Sequence, residues 1–127
     1  MGSKKELNEF DQWLQILFAD PFTDYLDETM FRVDVFETEE DYIIEAELPL
    51  YAIHQIQVKC HDNTAIIQAY EQKEACKERT VRLPFSLADR NVQAYFEKGI
   101  LEVRISKVTV GERGENYRNI QVSNEEL

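Results

Sequence analysis

Hydrophobic residues near the start of the chain recur at intervals of three and four positions, in the stretch of residues 6–19. The stripe consists of Leu7, Phe10, Trp13, Leu14, Leu17 and Phe18. Glu9, Asp11 and Gln15 lie mostly on the other side of the same helical wheel. The spacing therefore predicts an amphipathic helix, stopped by Pro21, whose apolar face packs on its own domain or on a neighbouring subunit.

From Phe31 onward the period changes to two, which is typical of half-buried β-strands. Alternation of this kind is present in residues 31–48, 56–69, 79–84 and 92–105. Gly99 is the only glycine within this body of the chain and marks a turn that requires a positive φ angle. Seven or so short strands without an intervening helix predict an all-β fold, an immunoglobulin-like antiparallel β-sandwich.

The pattern divides the chain into three parts. Residues 1–29 form an N-terminal helical arm, residues 30–107 form the sandwich, and residues 108–127 form a flexible tail. The tail carries Ile120 and Val122, two β-branched apolar residues separated by one polar position. In an extended segment both side chains point the same way, so the pair is suited to two pockets at an exposed strand edge.

The net charge and its distribution limit the kinds of partner that we expect the protein to bind. The net charge is −11, and all of it arises in residues 1–47, because residues 48–127 hold 11 acidic and 11 basic side chains. Such acidity argues against binding to nucleic acid, and the acidic polar face of the helix argues against a membrane surface. Without a long apolar run or a signal-peptide pattern, we expect a cytoplasmic protein.

Candidate chemistry is scarce. The chain has no phosphate-binding glycine loop and no nucleophile elbow. The best set of metal ligands is His54, Cys60, His61 and Cys76, but adjacent residues of a strand, such as Cys60 and His61, point to opposite faces. We therefore expect no metal, no cofactor and no enzymatic activity.

Several segments, taken in order, resemble the small heat-shock proteins and their α-crystallin domain. They are "VDVFETEEDYIIEAELP", "IQVKCHDNTAIIQA", "VRLP" and "AYFEKGIL". The last matches the family's signature turn, carried here by Ala94, Lys98, Gly99, Ile100 and Leu101. Three features depart from the family pattern: Leu50 replaces the usual glycine, Ser106 stands where Pro-Lys is usual, and the loop over residues 70–79 is short.

The resemblance implies a role for the tail. In this family an aliphatic-any-aliphatic motif binds a groove on the sandwich, so Ile120 and Val122 would be the anchors. The groove would be formed by Ile56, Val58, Val92, Ala94 and Phe96. The implied function is that of an ATP-independent holdase, which self-associates and binds partly unfolded client proteins so that they do not aggregate. Because this loop is short, the resemblance leaves open whether the chain forms the usual dimer of the family.

Two other functions stay open at this stage. The short loop would also suit a structural protein that assembles into a layer or coat, with the tail as the connector. The third hypothesis is a co-chaperone adaptor of the CS-domain type, although such domains normally lack the tail motif. The sequence also leaves open whether the tail binds its own groove, that of a sister subunit or that of another protein.

Overall fold

The computed structural model describes residues 9–19, 21–72, 75–111 and 116–124. For residues 9, 17–19, 21, 23 and 24 it describes the backbone alone. Leu7 and the side chains of Leu17 and Phe18 therefore lie outside the described part of the chain.

The N-terminal arm contains two helices, α1 (Glu9–Ala19) and α2 (Pro21–Thr29). The sequence predicted one helix that Pro21 ends, whereas the structure places Pro21 at the first position of α2. Proline fits this position because the first N–H groups of a helix have no partner within the helix. On α1, Phe10 is buried and its ring centroid lies 4.7 Å from that of Tyr42. Trp13 and Leu14 are partly buried against the core.

The predicted β-sandwich is confirmed, and it consists of two sheets. The strands are β1 (Val33–Glu37), β2 (Asp41–Glu47), β3 (Ile56–His61), β4 (Thr64–Tyr70), β5 (Cys76–Arg82), β6 (Arg90–Glu97), β7 (Ile100–Thr109), β8 (Tyr117–Ile120) and β9 (Val122–Ser123). One sheet has the order β1-β2-β7-β6-β9 and the other the order β5-β4-β3-β8. All pairings are antiparallel except that of β6 with β9.

Between the sheets lies a core of aliphatic side chains supplied by alternate strand positions. Its most deeply buried large members are Ile44, Leu48, Ile67, Leu83, Leu87, Leu101 and Ile105. Strand β7 ends at Thr109, two residues beyond Lys107, which was the predicted end of the sandwich.

Strand β5 begins earlier than the sequence indicated. The alternation predicted a strand from Arg79, but β5 starts at Cys76 and pairs with β4 along its whole length. Only residues 71–75 separate the two strands, so the connection is shorter than expected.

The signature turn between β6 and β7 depends on Gly99. Lys98 and Gly99 both have positive φ angles, 52° and 79°, as a two-residue hairpin loop requires. A Cβ atom on Gly99 would lie 2.9 Å from Cα of Pro49, which is closer than such atoms approach. The carbonyl of Gly99 accepts a hydrogen bond of 2.7 Å from the Leu48 amide. The neighbouring Leu50 is 91% exposed.

An ion pair between a partly buried aspartate and a buried arginine attaches α2 to both sheets at the side where β1 faces β5. Arg79 is 6% exposed, and its Nη1 lies 2.5 Å from Oδ1 of Asp27. The same nitrogen donates to the carbonyl of Phe31 at 2.9 Å, and Asp27 also accepts a hydrogen bond from the Val33 amide. Asp27 thus joins helix α2, strand β1 and strand β5.

Candidate functional site

The C-terminal tail lies along the side of the sandwich opposite to the Asp27–Arg79 pair and connects the two sheets. Strand β8 runs antiparallel to β3, with Ile120 opposite Val58. The chain then crosses over at the exposed residue Gln121, and β9 runs parallel to β6, with Val122 opposite Ala94. Within this single chain, the tail therefore occupies its own groove.

Four of the five predicted groove residues lie beside the tail. Ile56 and Val58 border a space of about 480 Å³ together with Ile120 and Val122. Val92 and Ala94 border a second space, of about 350 Å³, on the other side of Ile120. Phe96 is buried farther along β6, opposite Leu101 in strand β7. A binding role for these residues stays a prediction.

The contacts that hold the tail are only partly buried. Ile120 and Val122 are only partly buried, and they pack against the core cluster. Partial burial of two aliphatic side chains contributes roughly 2–3 kcal/mol before the cost of ordering the segment is subtracted. The short ladder of β8 with β3 covers a strand edge that would otherwise be unpaired.

Arg118 is a tail residue that sequence reasoning missed. Its Nη2 atom donates to the carbonyl oxygen of Leu87 at 2.7 Å and to that of Arg90 at 3.2 Å. It precedes Ile120 by two positions, so by the period of a strand it shares a face with Ile120 and Val122. This two-residue spacing was the available signal, but the carbonyls that Arg118 meets belong to Leu87, in the loop before β6, and to Arg90, the first residue of β6.

The loop that receives Arg118 is itself held in place by Arg90. The Arg90 guanidinium carbon lies 4.3 Å from the centroid of the Phe85 ring, and Nη1 donates to the carbonyls of Ser106 and Lys107. Phe85 contacts Tyr42, with 4.6 Å between ring centroids, and Tyr42 contacts Phe10 of α1. Tyr42 of strand β2 therefore lies between helix α1 and the loop that Arg118 contacts.

Cys60 lies on β3 directly opposite Arg118 and is 1% exposed. Burial raises the pKa of its thiol to about 11, and the charge of Arg118 lowers that pKa in part. Cys76 is exposed, and both thiols are reduced. Among the residues that the structure describes, no group of three His, Cys, Asp or Glu side chains could hold a metal ion.

Helix α1 and helix α2 also present exposed apolar side chains. Ile16 is 73% exposed, and the stacked rings of Phe22 and Tyr25, 5.6 Å apart, are each more than half exposed. Neither helix in the described ranges is long and apolar enough to cross a bilayer.

The two packed sheets form the α-crystallin β-sandwich, and the predicted resemblance to small heat-shock proteins is confirmed. A mutant of hsp14.1 from Sulfolobus solfatataricus has this fold, with a TM-score of 0.55 and 19% identity, covering 78% of this chain and 98% of its own. Residues 35–105, more than half of the chain, match the model of the GerT C-terminal domain. The chain belongs to the GerT C-terminal domain family.

Two relatives extend the similarity beyond the central strands. Spore coat protein M of Bacillus subtilis is 35% identical over 111 residues, which is 85% of this chain and 83% of that protein. Small heat shock protein C2 of Rickettsia felis is 27% identical over 122 residues, covering 82% of this chain and 78% of that protein.

Proposed function

We propose that this protein is a structural component of a protein coat, built on the small heat-shock fold and assembled by exchange of its C-terminal tail. The similarity to a spore coat protein over most of both chains supports this class of function. The observation behind this mechanism is the shortness of strands β8 and β9. Only four residues of the tail lie in β8 and only two in β9, so few backbone pairings hold the tail in the groove.

Exchange of the tail between copies follows from its contacts. A tail that leaves its own groove makes the same contacts in the groove of a neighbour, so the enthalpy of docking is conserved. At low concentration the tail binds the groove of its own chain, because the linker keeps the tail close to that groove. In a crowded layer, neighbouring grooves compete at a similar effective concentration, and the copies become connected.

The first test compares assembly of the wild-type chain with that of the Ile120→Ser/Val122→Ser variant. We expect the mass of the wild-type assembly, measured by sedimentation, to grow with concentration. In the double variant the affinity between copies should fall by about 100-fold, because two apolar contacts are lost. Gln121→Ser serves as the matched control, since Gln121 is exposed between the two anchors and should leave assembly unchanged. Unaltered assembly of the double variant would exclude the tail as the connector.

An ATP-independent holdase is the second candidate function. It is favoured by the exposed apolar side chains of the helices, Ile16, Phe22 and Tyr25, and by Ile56 and Val58, the buried apolar residues of the groove that lie beside Ile120 and Val122. Partly unfolded clients expose the kind of apolar segment that such surfaces bind. The similarity to a small heat shock protein over 122 residues supports the same role.

Client protection distinguishes the two functions. A holdase should keep heated model proteins in solution without nucleotide, as measured by light scattering, and the Ile120→Ser/Val122→Ser variant should shift that activity because its groove is open. A coat component should assemble without protecting clients. Absence of protection at excess over several clients would reject the holdase.

A further inference from the structure

We infer that the groove between β3 and β6 recognises an Arg-x-Ile-x-Val segment, with Arg118 as a third anchor beside Ile120 and Val122. This inference deepens the proposed function and rests on it. The third pocket is formed by the backbone carbonyls of Leu87 and Arg90, and its partner is a tail that carries an arginine two residues before the aliphatic pair. Such a tail comes from a second copy of this chain.

The carbonyls of the pocket are held by contacts that do not involve Arg118. The Leu87 amide donates to the carbonyl of Asp62 at 2.8 Å, which fixes the loop against the β3–β4 turn. At the other end, the Arg90 guanidinium stacks on the Phe85 ring and is bonded to two carbonyls of β7. A cationic donor aimed at carbonyls that are already positioned makes a strong hydrogen bond at little cost in entropy.

The pocket also determines the direction in which a tail binds. Two aliphatic side chains separated by one residue look similar from either end, so they alone do not fix the polarity of an extended segment. Arg118 removes this ambiguity, because it reaches the Leu87 and Arg90 carbonyls only when the tail runs antiparallel to β3. With the tail reversed, the arginine would lie toward the Ile56 end of the strand, away from those carbonyls.

A peptide titration tests the inference without substituting the residues that form the pocket. The receptor is the full-length Arg118→Gln/Ile120→Ser/Val122→Ser variant, in which we expect the attached tail to leave the groove, and the probe is a fluorescent peptide of residues 116–124. We expect the peptide with Arg118→Gln to bind at least tenfold more weakly, since it loses a charged donor to two carbonyls. Arg118→Lys should recover part of the affinity, and Gln121→Ala should bind like the native peptide because Gln121 is exposed.

The outcomes separate the inference from the proposed function. Equal affinity of the native and Arg118→Gln peptides would overturn the arginine pocket and leave tail exchange intact. No binding of the native peptide would overturn both. The same series is also titrated against the wild-type chain, where the attached tail competes. All affinities should fall there by a common factor, and loss of the difference between peptides would contradict the inference.

Discussion

Replacement of Asp27 by asparagine is expected to lower the free energy of unfolding by about 2–3 kcal/mol. The substitution keeps the shape of the side chain but removes the negative charge that faces Arg79. Because Arg79 is 6% exposed, its guanidinium would stay in the interior with the Phe31 carbonyl as its remaining partner in this contact. Breaking one half of a buried pair is costly because the other charge cannot return to water.

The matched control is Asp34→Asn, which breaks a pair of the same type on the surface. Asp34 and Arg32 are 3.4 Å apart, with side chains 46% and 58% exposed. An exposed pair of this kind contributes less than about 1 kcal/mol. Urea unfolding of the two variants measures the difference directly, and similar losses for both would contradict a structural role of the Asp27–Arg79 pair.

Opening of the groove is expected to increase the reactivity of Cys60 toward a thiol reagent by about 10- to 100-fold at pH 8. A thiol with a pKa of about 11 is thiolate in roughly one molecule in a thousand at this pH, whereas a thiol at its ordinary pKa of 9.0 is thiolate in roughly one in ten. The Ile120→Ser/Val122→Ser variant should admit water beside Cys60 and return the pKa toward the ordinary value, because burial, which raises the pKa, is a larger effect than the charge of Arg118, which lowers it.

The measurement requires the Cys76→Ser background, because Cys76 is exposed and would react first. The initial rate of modification is compared between this background and the same chain with the two tail substitutions. Gln121→Ser is again the control and should leave the rate low. Equal rates in all three chains would mean that the tail does not shield the interior at β3.

Sequence reasoning predicted the strands that bury apolar residues at every second position. It failed where the buried face of a strand is polar. In β5 the inward positions include Arg79, so the alternation before Val81 carries no apolar signal although the strand begins at Cys76. Helix α2 was missed for a similar reason, since Pro21 was interpreted as a stop and proline is equally suited to the first turn.

The candidate site also contains residues that the sequence pointed to and contacts that it could not predict. Ile120 and Val122 stand out in a polar segment, and the family resemblance pointed to the strands that they lie against. The partners of Arg118 and Asp27 could not be predicted, because Leu87 and Arg79 lie 31 and 52 positions away in the sequence. Such pairs form only when loops and helices close over the sandwich, and no local pattern encodes them.

A docked tail that belongs to its own groove would set the geometry of the proposed coat. Every copy that gives its tail away leaves one vacancy, so donors and acceptors are equal in number. Reciprocal exchange between two copies closes a dimer, whereas one-way exchange is a head-to-tail contact. Repeated contacts of this kind close into rings or continue as filaments. The seven residues between β7 and β8 span at most roughly 25 Å, which limits the spacing of neighbours in the layer.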